Sequence, residues 1–249
     1  MNPDEMIDFQ RSIERIAERY HDSLQPDIHI ENICQLFEIE WLKGVIPANS
    51  LVIDMGYGDG LISSAISSIC KLTVVEGSKR LTEKATIELP VGTGIVNALF
   101  EDYMPEELVD VVIASHVLEH VNDPIDILKR MSMWLKKDGI IIVIVPNKES
   151  IHRRVAHNMM LIESLDQLSE RDLKVGHQRV YGLEKMISDL EDANFAVQSH
   201  RGFFIKPLSN AQMLTWDSRA LIMLNELSEG VPSHFCANLA VVAKIKESN

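Results

Sequence analysis

The sequence is short of positive charge: 24 Lys and Arg face 37 Asp and Glu, for a formal net charge of −13. A protein that tracks nucleic acid needs a basic stripe to neutralise phosphates, so this balance argues against DNA or RNA as the partner. Cysteine is scarce too. Cys34, Cys70 and Cys236 stand far apart with no metal-ligand spacing, which argues against a disulfide framework or a zinc knuckle and leaves them as small hydrophobes. No stretch approaches the ~20 uninterrupted apolar residues of a membrane span, and the opening MNPDEMIDFQRSIERI lacks the apolar core of a signal peptide. The expected setting is the cytoplasm, with no membrane partner. Repeats and low-complexity tracts are missing as well. What remains is a chain of 249 residues, 46% of them hydrophobic, long enough for one sizeable α/β core and short for two.

The most informative stretch runs from Leu51 to Gly60, LVIDMGYGDG. Leu51, Val52 and Ile53 read as a buried strand, Asp54 ends it, and Gly56, Gly58 and Gly60 supply a flexible turn before the helix LISSAISSIC. A nicotinamide-binding turn would read G-x-G-x-x-G with a pyrophosphate on the helix N-terminus. Here the spacing is G-x-G-x-G, and Asp54 and Asp59 stand where a diphosphate would have to approach. Like charges repel, so the expected ligand is cationic or zwitterionic. Glu76 ends the next strand, KLTVVE, at the usual place of the acid that grips a ribose diol. A nucleoside with a positively charged tail satisfies both acids.

On these residues the chain resembles the class I S-adenosylmethionine-dependent methyltransferases, whose first motif has the form hhDhGxGxG. The resemblance extends through GIVNALFEDYMPEE and VDVVIASHVLEHVNDPIDILKRMSMWLKKDGIIIVIVPN, and is strong over roughly residues 45–147. It implies a three-layer Rossmann-like α/β fold: a seven-stranded, mostly parallel sheet closed by an antiparallel hairpin, in a single domain spanning 1–249. It also implies S-adenosylmethionine as cofactor and S-adenosylhomocysteine as product. The matching positions place Asp54, Gly56, Gly58, Gly60 and Gly77 around the methionine part, Glu76 on the ribose, Leu99, Phe100 and Glu101 on the adenine, and Ser115 and His116 beside the donor. Tyr57 is expected either to lean over the donor or to pack. Tyr20 resembles an aromatic that closes over the donor from a helical arm.

Helical spacing of Met6, Ile7, Phe9, Ile13, Ile16 and Tyr20 predicts a helix over 4–24, and Ile28 to Lys43 predicts a second before Pro47; together they form an N-terminal helical arm, 1–46. After the fifth strand, residues 148–182 are too long for a plain connection and read as a helical insertion over the acceptor. A helix over 183–193, a sixth strand over 195–205, a helix within 208–228 and a last strand over 235–246 complete the chain.

Methyl transfer from a sulfonium is an in-line displacement, so the protein must align two reactants and, for a hydroxyl, remove a proton. Histidine titrates nearest neutrality, which makes His177, His152 and His116 the candidate bases, with His177 preferred. Asn147, Arg153, Arg179, Tyr181 and Lys206 are the expected acceptor contacts, the arginines suiting a carboxylate or phosphate. No metal is expected. The expected acceptor is a small polar metabolite or sugar, anionic or not, methylated at a hydroxyl or an amine, and a homodimer is left open. Two rivals stand beside this reading: an enzyme of the same fold that displaces within the donor and releases methylthioadenosine, and a non-catalytic binding protein.

Overall fold

The computed structural model describes residues 11–18 and 27–246. Seven strands form one sheet: β1 (Leu51–Met55), β2 (Lys71–Glu76), β3 (Gly94–Asn97), β4 (Val109–Ser115), β5 (Leu135–Pro146), β6 (Phe195–Phe203) and β7 (Asn238–Ile245). Their order is β3-β2-β1-β4-β5-β7-β6. The pairs among β1 to β5 are parallel, while β7 runs antiparallel between β5 and β6. This is the Rossmann-like α/β fold that the motifs imply. Chain direction around the sheet reverses between β1 and β4, and in open α/β sheets the crevice beyond the carboxyl ends of such strands is where ligands bind.

The central strands are apolar almost throughout because both of their faces are covered. Alternation decides which side each residue serves. Val52, Val111, Ile113, Ile142 and Ile144 pack on one face with Leu42, Ile66, Leu81 and Leu221. These belong to α2 (Ile28–Val45), α3 (Leu61–Ile66), α4 (Lys79–Glu88) and α10 (Ser218–Glu226). Ile53, Val112, Ala114, Ile141, Val143 and Val145 pack on the other with Leu128, Met131, Trp134, Met186 and Leu190, from α5 (Pro124–Trp134) and α8 (Leu183–Asp192). Three layers result.

Local chemistry sets the helix ends. Pro47 forbids helical backbone at the residue before it, and α2 stops at an extended Ile46. Asp123 caps α5 by accepting from the amides of Ile125 and Asp126, with Pro124 preset for the first turn.

Several expected elements are redrawn. The stretch 208–228 holds two helices, α9 (Asn210–Met213) and α10, because Ser209 and Asp217 each cap a new start. The insertion contains only α6 (Ile151–Asn158) and α7 (Glu170–Lys174), neither with a buried residue, and is otherwise irregular. The last strand begins at Asn238 because Ser233–Phe235 form a 3-10 turn. Residues 11–18 are helical and are called α1; Tyr20 and the rest of the expected first helix lie outside the described residues. Among the described residues no helix is long and apolar enough to cross a membrane.

Candidate active site

A cavity of about 1040 Å³ opens at the carboxyl ends of β1, β2 and β4. Its first part is built by the turn after β1. Gly56 and Gly58 have φ of +83° and +55°, backbone that side chains rarely adopt, and both line the cavity. Gly60 does not line it. There a Cβ would fall 2.4 Å from the Tyr57 hydroxyl, so this glycine lets the tyrosine pack beneath the turn. Tyr57 borders the cavity, but its side chain is buried and its hydroxyl donates to Glu88 Oε2 at 2.7 Å, as the packing alternative expects.

Two buried carboxylates face this part of the cavity. Glu76 accepts from the backbone amides of Tyr57 at 2.8 Å and Ser78 at 2.7 Å, which fix its orientation at the end of β2. Asp54 accepts from Ser63 Oγ at 2.5 Å. Burial raises its pKa to about 7 against the Ser63 hydrogen bond, and the charges of Glu76 and Asp59 add to the rise. Glu76 is raised for the same first reason. Two acids that burial makes costly to ionise are the donor set for a cationic ligand. Ser115 Oγ, at the end of β4, is buried with no hydrogen-bond partner, and Leu99, Phe100 and Glu101 line the wall beyond β3. Gly77 sits under Ile13 of α1, whose Glu14 accepts from Ser78 Oγ at 2.9 Å and the Lys79 amide at 2.7 Å. The described part of the arm thus rests directly on the donor loop.

The second part of the cavity is framed by the insertion. Its helix α7 is tied to α2 by Arg171, which pairs with Asp27 and, at 2.7 Å, with Glu31. His177 follows α7 and lines the cavity, with Nδ1 3.0 Å from Asp172 Oδ1. Asp172 is itself fixed by the amide and hydroxyl of Ser169, both at 2.7 Å. A carboxylate that holds one ring nitrogen orients the other for proton transfer. His152 also lines the cavity, but burial, then the charges of Lys206 and Arg153, lower its pKa to about 3. Burial thus disfavours the protonated form that a base must take up. His116 fails for the opposite reason. It adopts φ +54° and lies 3.2 Å from Glu119 Oε1 and 3.7 Å from Glu38 Oε2. Burial opposes its charge, but the two carboxylates outweigh burial and hold its pKa well above the ordinary histidine value. It lines the cavity as a fixed cation.

Among the expected acceptor contacts, Lys206 lines the cavity and makes no hydrogen bond or ion pair with the described residues. Burial lowers its pKa. Arg153 borders the cavity, yet its guanidinium is engaged by the carbonyls of Leu165 and Gln167 and by Asp172. Arg179 lies off the cavity and grips the carbonyls of Leu118, Val121 and Asn122, bracing the loop after β4. Tyr181 is buried in the core behind it. Asn147 reaches the cavity wall while its side-chain amide donates to the carbonyls of His234 and Cys236, so it anchors the start of the insertion. In this structure Arg153 holds the insertion at the cavity's border, while Arg179 and Tyr181 hold a loop and the core away from it. The sequence reading missed Ser63 and Glu38 as partners of site residues, and Asp172 as the partner of His177: a serine one turn into a helix, an acid on an amphipathic helix and an acid in an insertion carry no motif.

A Rossmann-like sheet with an acid-rimmed glycine turn after its first strand and a buried glutamate ending its second is the arrangement of the class I S-adenosylmethionine-dependent methyltransferases. The family model described as "Methyltransferase domain" matches residues 28–200, and the chain belongs to that family. It is 22% identical over 229 residues to the ubiquinone biosynthesis O-methyltransferase of Cupriavidus pinatubonensis, covering 86% of this chain and 88% of that protein. Among solved structures, an S-adenosylmethionine-dependent methyltransferase from Thermotoga maritima superposes with a TM-score of 0.66 at 19% identity, over 94% of this chain and all of that one. The N-methyltransferase NodS from Bradyrhizobium japonicum, solved with S-adenosyl-L-homocysteine, gives a TM-score of 0.55 at 14% identity over 87% of both chains. One of these relatives is named for transfer to oxygen and another for transfer to nitrogen, so likeness of fold does not choose the acceptor atom.

Proposed function

We propose that this enzyme methylates a hydroxyl oxygen of a small anionic metabolite. The observation that carries the reading is the His177–Asp172 pair, which lies in the same cavity as Asp54 and Glu76. Bound there, S-adenosylmethionine supplies an electrophilic methyl on its sulfonium. Glu76 would hold the ribose diol and Asp54 would face the cationic methionine end. His177 would take the hydroxyl proton as the oxygen forms its bond to the methyl carbon, and the carbon–sulfur bond would break to leave S-adenosylhomocysteine. Asp172 would stabilise the resulting imidazolium.

Lys206 supports an anionic acceptor, because a buried ammonium at the cavity wall that makes no hydrogen bond or ion pair with the described residues is stabilised by a ligand's carboxylate or phosphate. The test is a panel of hydroxy acids and their amine counterparts, incubated with enzyme and donor and read by mass spectrometry for a gain of one methyl. Methylation of hydroxy acids, lost on His177→Ala with S-adenosylhomocysteine affinity retained, is the expected result. Exclusive methylation of uncharged amines would refute the reading.

A further inference from the structure

The loop after β4 and the loop after α7 bring Glu119, His120 and His177 together. One ligand atom from each lies within 4.8 Å of the others. The two loops are laced to each other: the Gln178 amide donates to Glu119 O at 2.8 Å, the Gln178 side chain donates to His120 O at 2.6 Å, and Arg179 grips the carbonyls on either side. The positions are therefore fixed by backbone contacts.

From this geometry we infer that Glu119, His120 and His177 bind a divalent first-row cation such as Zn²⁺. A second observation points to a missing ligand. Glu119 is wholly buried, its Oε1 faces His116 at 3.2 Å, and its Oε2 has no hydrogen-bond partner among the described residues. A buried carboxylate oxygen without a donor is costly, and a cation removes that cost. With Nδ1 of His177 engaged by Asp172, Nε2 is its ligand atom, and a carboxylate on the far ring nitrogen is the usual outer support of a metal-bound imidazole. Two imidazoles and one carboxylate suit zinc or its neighbours rather than calcium or magnesium. His120 and His177 both line the cavity, so the open coordination positions face the acceptor.

The consequence deepens the proposed reaction and rests on that reading. An acceptor hydroxyl bound to the ion ionises more readily and its proton leaves to water while His177 serves as a ligand, whereas in the ion-free enzyme His177 takes that proton. An acceptor with a second oxygen next to the reacting one would chelate and gain most.

The test is calorimetric titration of chelator-treated full-length enzyme with Zn²⁺, repeated on His177→Ala and Glu119→Gln, with S-adenosylhomocysteine titrated into all three. One equivalent of Zn²⁺ should bind to the wild type, and binding should weaken about 100-fold or more in each variant. Affinity for S-adenosylhomocysteine should stay within about threefold, which separates failure of the ion site from failure of the methyltransferase reading. If Glu119→Gln does not fold, His177→Ala decides alone. Absence of Zn²⁺ binding to the wild type, or unchanged binding in His177→Ala, would overturn the inference.

Discussion

Donor affinity should rise steeply with pH across a range where most cation–carboxylate contacts are already saturated. Asp54 is 2% exposed and its pKa is raised to about 7 by burial, against the Ser63 hydrogen bond. A cationic donor binds the carboxylate, so below pH 7 the site must first lose a proton. The ionised fraction is about 0.03 at pH 5.5 and about one half at pH 7, which makes the expected gain in affinity about 16-fold, or about 1.6 kcal/mol. The sign for folding is the reverse. Without donor the folded chain keeps a proton that the unfolded chain releases, so Asp54 costs stability as pH rises from about 4 to 7. Calorimetric titration of S-adenosylmethionine between pH 5.5 and 7, in two buffers of different ionisation enthalpy, reads both the affinity and the proton release. Asp54→Asn should bind more weakly at pH 7 and lose most of the pH dependence, with Glu76 supplying the remainder. Affinity that is flat or falls with rising pH in the wild type would refute the reasoning.

Other consequences separate donor, acceptor and scaffold. Glu76→Ala should raise the donor Kd by at least tenfold, whereas His177→Ala should lower kcat with donor binding unchanged, measured by steady-state kinetics beside calorimetry. Lys206→Met should raise KM for an anionic acceptor far more than for its amide analogue, because only the former loses a charge partner. Arg179→Ala should lower Tm and stability by about 2–3 kcal/mol, since three carbonyls lose a charged donor, and it should reduce turnover on every acceptor alike. Tyr57→Phe should cost about 1 kcal/mol of stability through its lost bond to Glu88 and leave donor affinity intact, which checks that the ring packs under the turn.

The donor half was legible because strand ends fix it. Once Leu51–Ile53 is a buried strand, Asp54 and the glycines must lie at its carboxyl edge, and Glu76 follows by the same argument from β2. The acceptor half was not, because arginine and tyrosine serve loops and cores as readily as ligands. Arg179 and Tyr181 sit one and three residues from a cavity-lining Gln178, yet turn towards carbonyls and core. Lys206 could be proposed from its place beyond β6, but its burial at the cavity wall shows only when the surrounding chain is assembled. Glu119 and His120 are neighbours in the sequence; their meeting with His177, more than fifty residues away, depends on how the insertion folds back.

The central claim is that this cavity binds a sulfonium donor and waits for an acceptor. Its most direct test is calorimetry of the purified protein with S-adenosylmethionine and S-adenosylhomocysteine, followed by mass spectrometry of the donor after incubation without acceptor. The account predicts one-to-one binding of both and recovery of intact donor. No binding of either, or conversion of the donor to methylthioadenosine, would contradict it.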